Sequence, residues 1–534
     1  MAIIGAFREP WAELGRSRPP WYLIAPAAAA ALGVLAPLVF LASRALGEGG
    51  PDLAALWFRA RTGRLLASSL LLAVSVVATT TAISLPAAWL VTSTNLPGRR
   101  LFTLAAVLPL AMPGYVLAYA MLGVGGPLGT SAQWLGIEVP RPSGYTGALV
   151  ALTLYNFPFM FLNLRAAFDR LDPSLAEAAR SLGAGPRETF RRVTLPALRP
   201  AFLSGALVVG LYVMGDFGVV GLMRYETLSF AILSSFSAAH DLPAASALAL
   251  LLLAVIAVVL VIELRLLSGL RLHRIGLATR RRRPRVVLGR RRWIAVAALG
   301  ALFFASVAGP ALVLVEWTWR GTAAVEVDAI LRAAGHSLAG AIPAAVVAVA
   351  LALPIAFLAR RYQSRSAELI ERAAYVGFAT PAIVFALGIL FFVLRAAPIL
   401  YQTMLALVAG YALHFLAQAI GPVRAGLYLV SPRAEEASRA LGHGPVATFF
   451  HVTFPQLRAG LVAATALVLL SCLKDLPLTY VLAPLDFAPL ALEVWSYANE
   501  AMLAEAAPYA LTMLALSGAM VGLLIRFEAA GDPA

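Results

Sequence analysis

Four stretches of this chain, Pro26–Leu41, Leu65–Val91, Ser246–Ile262 and Ile294–Val315, run without a single charged residue. About 20 apolar residues in a helix suffice to cross the ~30 Å hydrocarbon core of a bilayer. In that core every backbone N–H and C=O must be satisfied internally, which leaves helices or closed barrels. Runs this continuous are not the alternating pattern of barrel strands. Over the 534 residues only 13% are charged and 61% are hydrophobic, where a soluble domain carries about 25% charged residues. The fold class that follows is all-α and polytopic.

The charge that remains is placed by topology. The net charge of +15 comes almost entirely from arginine, since Lys474 is the only lysine. The arginines concentrate in alternate loops, 95–100, 167–199, 271–292, 360–372 and 423–458, and ten of them lie in 271–292. By the positive-inside rule those loops and both termini are expected to be cytoplasmic. The intervening loops carry acids such as Glu48, Glu138, Asp241, Glu326 and Asp486. The Arg run 280–292 therefore reads as an orientation signal and an anionic-lipid contact, not a nucleic-acid site. Trp11–Pro20 is polar and proline-rich and lacks a small-residue cleavage site, so the N-terminus reads as a retained tail. Twelve spans are expected, at 22–42, 65–92, 101–122, 148–166, 200–222, 245–267, 293–315, 337–359, 373–395, 402–422, 459–482 and 504–526.

A duplication organises them. Segment 172–199 and segment 431–458 match at 15 of 28 positions without a gap, at an offset of 259 that continues to pair Asp216 with Asp475. Upstream, Pro86 pairs with Pro354 and Pro113 with Pro381 at an offset of 268, so the first half has nine extra residues within 123–147. Six spans per half is an even number, so both halves enter the membrane the same way, as parallel repeats about an axis along the membrane normal. The expected division is a tail at 1–21, a first half at 22–270, a linker at 271–292 and a second half at 293–534.

Each repeated loop reads as a short helix, a glycine break and a second short helix. Asp172 or Ser431 suits the N-cap and Pro173 or Pro432 the first helical position. Gly183 or Gly442 falls where a left-handed C-cap residue is expected. Glu177-Ala178-Ala179 followed by Gly183, and Glu436-Ala437-Ser438 followed by Gly442, resemble the EAA loop of ATP-binding-cassette (ABC) importer permeases, with Ser438 a departure. The resemblance implies a type I importer permease in which each loop is a coupling helix seated on one subunit of a homodimeric ATPase. It also implies an extracytoplasmic solute-binding protein as partner, an inner-membrane location, and ATP and Mg bound by the ATPase, with no cofactor on this chain. Gly215-Asp216-Phe217-Gly218, Lys474-Asp475-Leu476-Pro477, Ala483-Pro484 and Leu503–Pro508 are similar to fused permeases of ferric iron importers. Those for thiamine and phosphonates look alike, and an ion-coupled secondary transporter is the rival of another class.

The chain carries no enzymatic constellation. Lys474 follows Leu473, so there is no P-loop, and no His precedes a Glu as a zinc-protease helix requires. The six histidines are scattered without ligand spacing, and Cys472 sits in an apolar run as core filler. Neither a metal site nor a dense cluster of Tyr, His and carboxylate is expected. Asp216, Lys474 and Asp475 lie inside the fifth spans, where a charge costs about 2.5–3.5 kcal/mol on insertion scales. They are 16 residues or so along their helices, about 24 Å up at 1.5 Å per residue. They are candidates for the translocation path, with a structural Lys474–Asp216 ion pair as the alternative.

Overall fold

The structure, a computed structural model, describes residues 19–47, 52–268, 285–321, 326–362 and 364–531. Most of the tail and of the arginine-rich linker thus lies outside the described residues. What is described is helical; an isolated bridge pairs Thr94 with Val286, where the end of the linker meets the second span.

The first half contains α1 (Trp21–Leu46), α2 (Ala60–Ser93), α3 (Gly114–Val124), α4 (Gly144–Arg170), α5 (Pro173–Ser181), α6 (Arg199–Gly215), α7 (Leu228–Ser237) and α8 (Leu242–Ser268). The second contains α9 (Arg291–Arg320), α10 (Val327–Arg361), α11 (Arg365–Ala379), α12 (Ala382–Ala396), α13 (Met404–His414), α14 (Leu416–Leu429), α15 (Pro432–Ala440), α16 (Phe454–Leu473), α17 (Leu490–Asn499) and α18 (Leu503–Gly531). Eight described helices are long and apolar enough to cross a membrane, and four bent pairs bring the total to twelve. Every expected span has its counterpart.

Five spans differ from the straight helices expected, the tenth by a bend of 53° between α13 and α14. The third span of each half is broken: Arg99–Ala111 meets α3 at 94°, and α11 meets α12 at 109°. Both breaks fall at the paired prolines Pro113 and Pro381. Proline removes a helical N–H and pushes the preceding residue out of the helical region, and Met112 and Thr380 are extended, with ψ of 125° and 133°. The fifth spans end early. Expected to reach Leu222 and Leu482, they stop at Gly215 and Leu473 and restart as the short helices Gly218–Leu222 and Pro477–Leu482.

The halves interlock. α1 packs on α10, α11 and α12 of the second half, and α9 packs on α3 of the first as well as on α18. The α1–α12 crossing is close enough that a Cβ at Gly388 would meet the Pro37 carbonyl at 2.7 Å. Trp317 of α9 donates its indole N–H to the Gly123 carbonyl at 3.1 Å. Small residues let helix backbones approach closely in a membrane, where packing replaces the hydrophobic effect as the driving force.

Candidate functional site

The repeated loops fold as their sequence dictates. In α5 the Asp172 carboxylate accepts the Ser174 N–H at 2.9 Å, a side-chain cap. In α15 Ser431 occupies the cap position without a side-chain cap bond, contrary to expectation. Gly183 and Gly442 sit at φ of 89° and 88°, the left-handed conformation that ends each helix. A π-helical turn follows in each copy, Phe190–Thr194 and Phe449–Thr453, and leads into the fifth span.

The two loops expose the same set of groups. Glu177 and Glu436, Ala178 and Ala437, Arg180 and Arg439, and Gly183 and Gly442 all face outward. Leu182 is 89% exposed and its counterpart Leu441 80%. The two equivalent positions thus present the same exposed apolar side chain. Of the motif positions, Ala179 is partly covered and Ser438 is buried. The departure at Ser438 has a local reason: its hydroxyl bonds His443 Nδ1 at 3.0 Å and Thr448 Oγ1 at 3.2 Å. The first copy has alanines at the positions of Ser438 and His443, Ala179 and Ala184.

Asp216, Lys474 and Asp475 come together on one cavity of about 170 Å³ between the halves. Each aspartate caps the short helix that restarts the fifth span. The Val219 N–H donates to Asp216 Oδ1 at 2.7 Å, and the Leu478 N–H to Asp475 Oδ1 at 2.8 Å. One carboxylate oxygen of each is thus committed to backbone, the usual way a buried charge is tolerated. Lys474 Nζ donates to the Leu110 carbonyl at 2.8 Å, across to the first half's broken third span. Among the described residues Lys474 forms no ion pair with either aspartate within 4.0 Å.

The cavity also gathers residues that the sequence did not single out: Tyr115, Tyr155 and Tyr212 from the first half and His414 from the second. Tyr115, Tyr155 and Tyr212 are all within electrostatic range of Asp475, and Tyr155 also of Asp216. These side chains share one lining with the aspartates. These residues sit in apolar runs on four different spans, and the signal that could have found two of them is the repeat, since Tyr155 and His414 correspond at the offset of 259. Among the described residues no three His, Cys, Asp or Glu lie close enough to hold a metal ion.

Comparison with known proteins agrees with this arrangement. The chain matches the family described as binding-protein-dependent transport system inner membrane component twice, over residues 81–271 and 348–528. Both matches begin after the first span of each half, the spans that cross between halves. The chain is 29% identical over 514 residues to the Fe(3+)-transport system permease protein FbpB 2 of Haemophilus influenzae, covering 96% of this chain and 99% of that one. It is 33% identical over 141 residues to the molybdenum transport system permease protein ModB of Azotobacter vinelandii, 26% of this chain and 62% of that one. It is 31% identical over 177 residues to the sulfate transport system permease protein CysT of Salmonella typhimurium, 31% of this chain and 62% of that one. With both copies of the family's region on one polypeptide and twelve apolar helical spans, the chain belongs to the binding-protein-dependent transport system inner membrane components, as an ABC permease subunit whose two halves are fused.

Proposed function

We propose that this permease passes Fe(III), handed over by an extracytoplasmic binding protein, to the cytoplasm by alternating access of its two halves. The observation that carries the reading is the common cavity: the paired aspartates of the repeat line one space between the halves. Carboxylates are hard oxygen ligands that suit a hard cation. Support for iron also comes from the relative named for Fe(3+), which matches end to end.

The two repeated loops are the coupling sites, each engaging one subunit of a homodimeric ATPase that binds ATP and Mg. Their matching exposed residues, Glu177 with Glu436 and Leu182 with Leu441, fit two identical receptors. The loops and both termini face the cytoplasm, and the halves divide at 271–292. Single cysteines near Arg290 and Glu326 should then label from opposite sides; labelling from one side overturns the orientation.

A second reading, an oxyanion cargo, is favoured by Lys474, whose ammonium lines the same cavity, and by the shorter matches to permeases named for molybdenum and sulfate. Reconstitution in proteoliposomes with the cognate ATPase and binding protein separates the two. ATP-dependent accumulation of labelled iron, and not of molybdate or sulfate, is expected. Accumulation of an oxyanion without iron would reject the ferric assignment.

A further inference from the structure

Between the third and fourth spans the first half carries nine residues more than the second, on the side of the membrane opposite the two repeated loops. The second half makes this connection with one short turn, Pro398–Leu400. The first half builds a short helix, Thr130–Leu135, ended by Gly136 in the left-handed conformation at φ of 66°. Its polarity is the reverse of a loop in water. Thr130 and Ser131 are buried, and their hydroxyls donate to the Gly123 and Val124 carbonyls at 3.4 and 2.8 Å. Those are the last carbonyls of α3, which a helix leaves without an internal partner. The Gly126 N–H donates to the Val139 carbonyl at 2.8 Å and closes the segment on itself. What faces outward is chiefly apolar: Trp134 is 59% exposed, Leu135 72% and Ile137 58%. Glu138 is the one charge in 128–139.

The height of this segment in the membrane is set by α9. Arg320, at the end of α9, donates from Nη1 to the Leu128 carbonyl at 2.9 Å, and its guanidinium lies over the Trp317 ring at 5.7 Å. α9 carries an exposed tryptophan near each end, Trp293 and Trp319. The helical rise of 1.5 Å per residue puts them about 39 Å apart. Hydrocarbon and headgroup layers together measure about 40–45 Å, and tryptophans gather at both membrane–water interfaces. The Trp319 end of α9 therefore lies at headgroup level, and Leu128 is bonded to that end. α9 is also the least covered by protein of the eight long described spans, so the segment hangs at a lipid-facing edge of the bundle. We propose that residues 128–139 are an interfacial anchor: the short helix lies in the headgroup layer with Trp134, Leu135 and Ile137 turned toward the acyl chains. Lipid covers these side chains at all times, whereas a docking face for a soluble partner would leave them in water whenever the partner is away. The anchor holds the end of α3, whose first turn, Gly114 and Tyr115, lines the cavity. One wall of the cavity is thereby tied to the membrane surface.

The test uses the full chain in vesicles of phosphatidylethanolamine and phosphatidylglycerol. Trp134→Cys, Leu135→Cys and Ile137→Cys are made singly in a Cys472→Ala background, and each thiol carries a nitroxide. Collision with oxygen, which partitions into lipid, is compared with collision with a water-soluble nickel chelate. All three labels should favour oxygen and read a depth of about 5–10 Å, that of an interfacial helix. Labels that favour the nickel chelate and stay mobile put the segment in water and overturn the anchor. Labels that favour the chelate until the cognate binding protein is added, and are then immobilised, give the surface to that protein and overturn it as well. Quenching by brominated lipid gives the same answer without a new cysteine. Trp134 is more than half exposed, so Trp134→Phe keeps the fold, and the quenched fraction of tryptophan emission should fall in that variant. Equal quenched fractions in variant and wild type overturn the proposal.

Discussion

Laid over each other, the two repeated loops agree on the outside and disagree on the inside. Both end their first helix on a left-handed glycine, both continue through a π-helical turn, and both expose Glu, Arg and Leu at matching positions. Underneath, the second loop is tied down by ions. Glu435 is buried, with Arg361 at 2.7 Å, Arg439 at 3.5 Å and the Thr453 hydroxyl donating to it at 2.8 Å. Arg424 and Glu371 pair nearby at 2.6 Å. In the first loop Ala176 stands at the position of Glu435, and the counterpart of Arg424, Arg165, has only an exposed contact with Asp169 at 3.8 Å. On the coupling role proposed above, the surface a partner would read is the same in both copies, while the bracing behind it differs.

The largest effect should come from removing that bracing. Glu435→Ala strands Arg361 in a half-buried site, and breaking such a pair costs about 3 kcal/mol. Hydrogen exchange over 431–453 should accelerate accordingly, and the thermal stability of the purified protein should fall. The mirror experiment, Ala176→Glu, has no buried arginine to satisfy and should stay within about 0.5 kcal/mol of wild type, as surface changes do. Equal exchange rates in the two variants would erase the energetic distinction between the loops.

The outer surfaces should respond alike. Glu177→Arg and Glu436→Arg each reverse an exposed charge on the proposed ATPase contact. Each is expected to weaken ATPase association about tenfold, or ~1.4 kcal/mol, with membrane insertion unchanged. A large loss from one loop and none from the other would mean that the matched surfaces do not meet matched receptors. Smaller again is the hydroxyl inside the second loop. Ser438→Ala leaves His443 and Thr448 without a bonding partner and should cost about 1 kcal/mol. Adding His443→Ala restores the alanines of the first loop, and the double variant should cost less than the sum of the two single ones because the residues share one network.

Why some of this was legible in the sequence and some was not follows from the range of the forces involved. Span positions, loop helices and the glycine breaks are local, governed by hydropathy and backbone sterics, and the alignment of Pro113 with Pro381 marked both break points. The angle of each break depends on what the helix meets afterwards, so bends of 94° and 109° could not be read from a proline alone. The crossing of α1 onto the second half leaves no local trace, since its apolar face fits any helical neighbour. Nothing in the local sequence tells Glu435 from the neighbouring motif residue Glu436, and only its partner Arg361, 74 positions upstream in number, explains why it is buried. Tyr115, Tyr155 and Tyr212 read as ordinary aromatics because their common neighbour, Asp475, lies in the other half.

The glycines give the finest test, because here the comparison predicts no difference at all. At Gly183 and at Gly442 a Cβ would meet nothing within 4 Å, so alanine creates no clash in either loop. What remains is backbone. An L-residue held in the left-handed region costs about 1 kcal/mol or slightly more, and both sites have the same φ within a degree. Alanine also restricts the unfolded chain, which returns about 0.5 kcal/mol. Gly183→Ala and Gly442→Ala should therefore each destabilise their loop by roughly 0.5 kcal/mol net, visible as a slight and equal rise in hydrogen exchange over the two repeated segments. A clearly larger effect in the first loop would mean that the ion cluster around Glu435 holds the second loop's backbone in place even when its turn is strained. The bracing would then act on conformation as well as on stability.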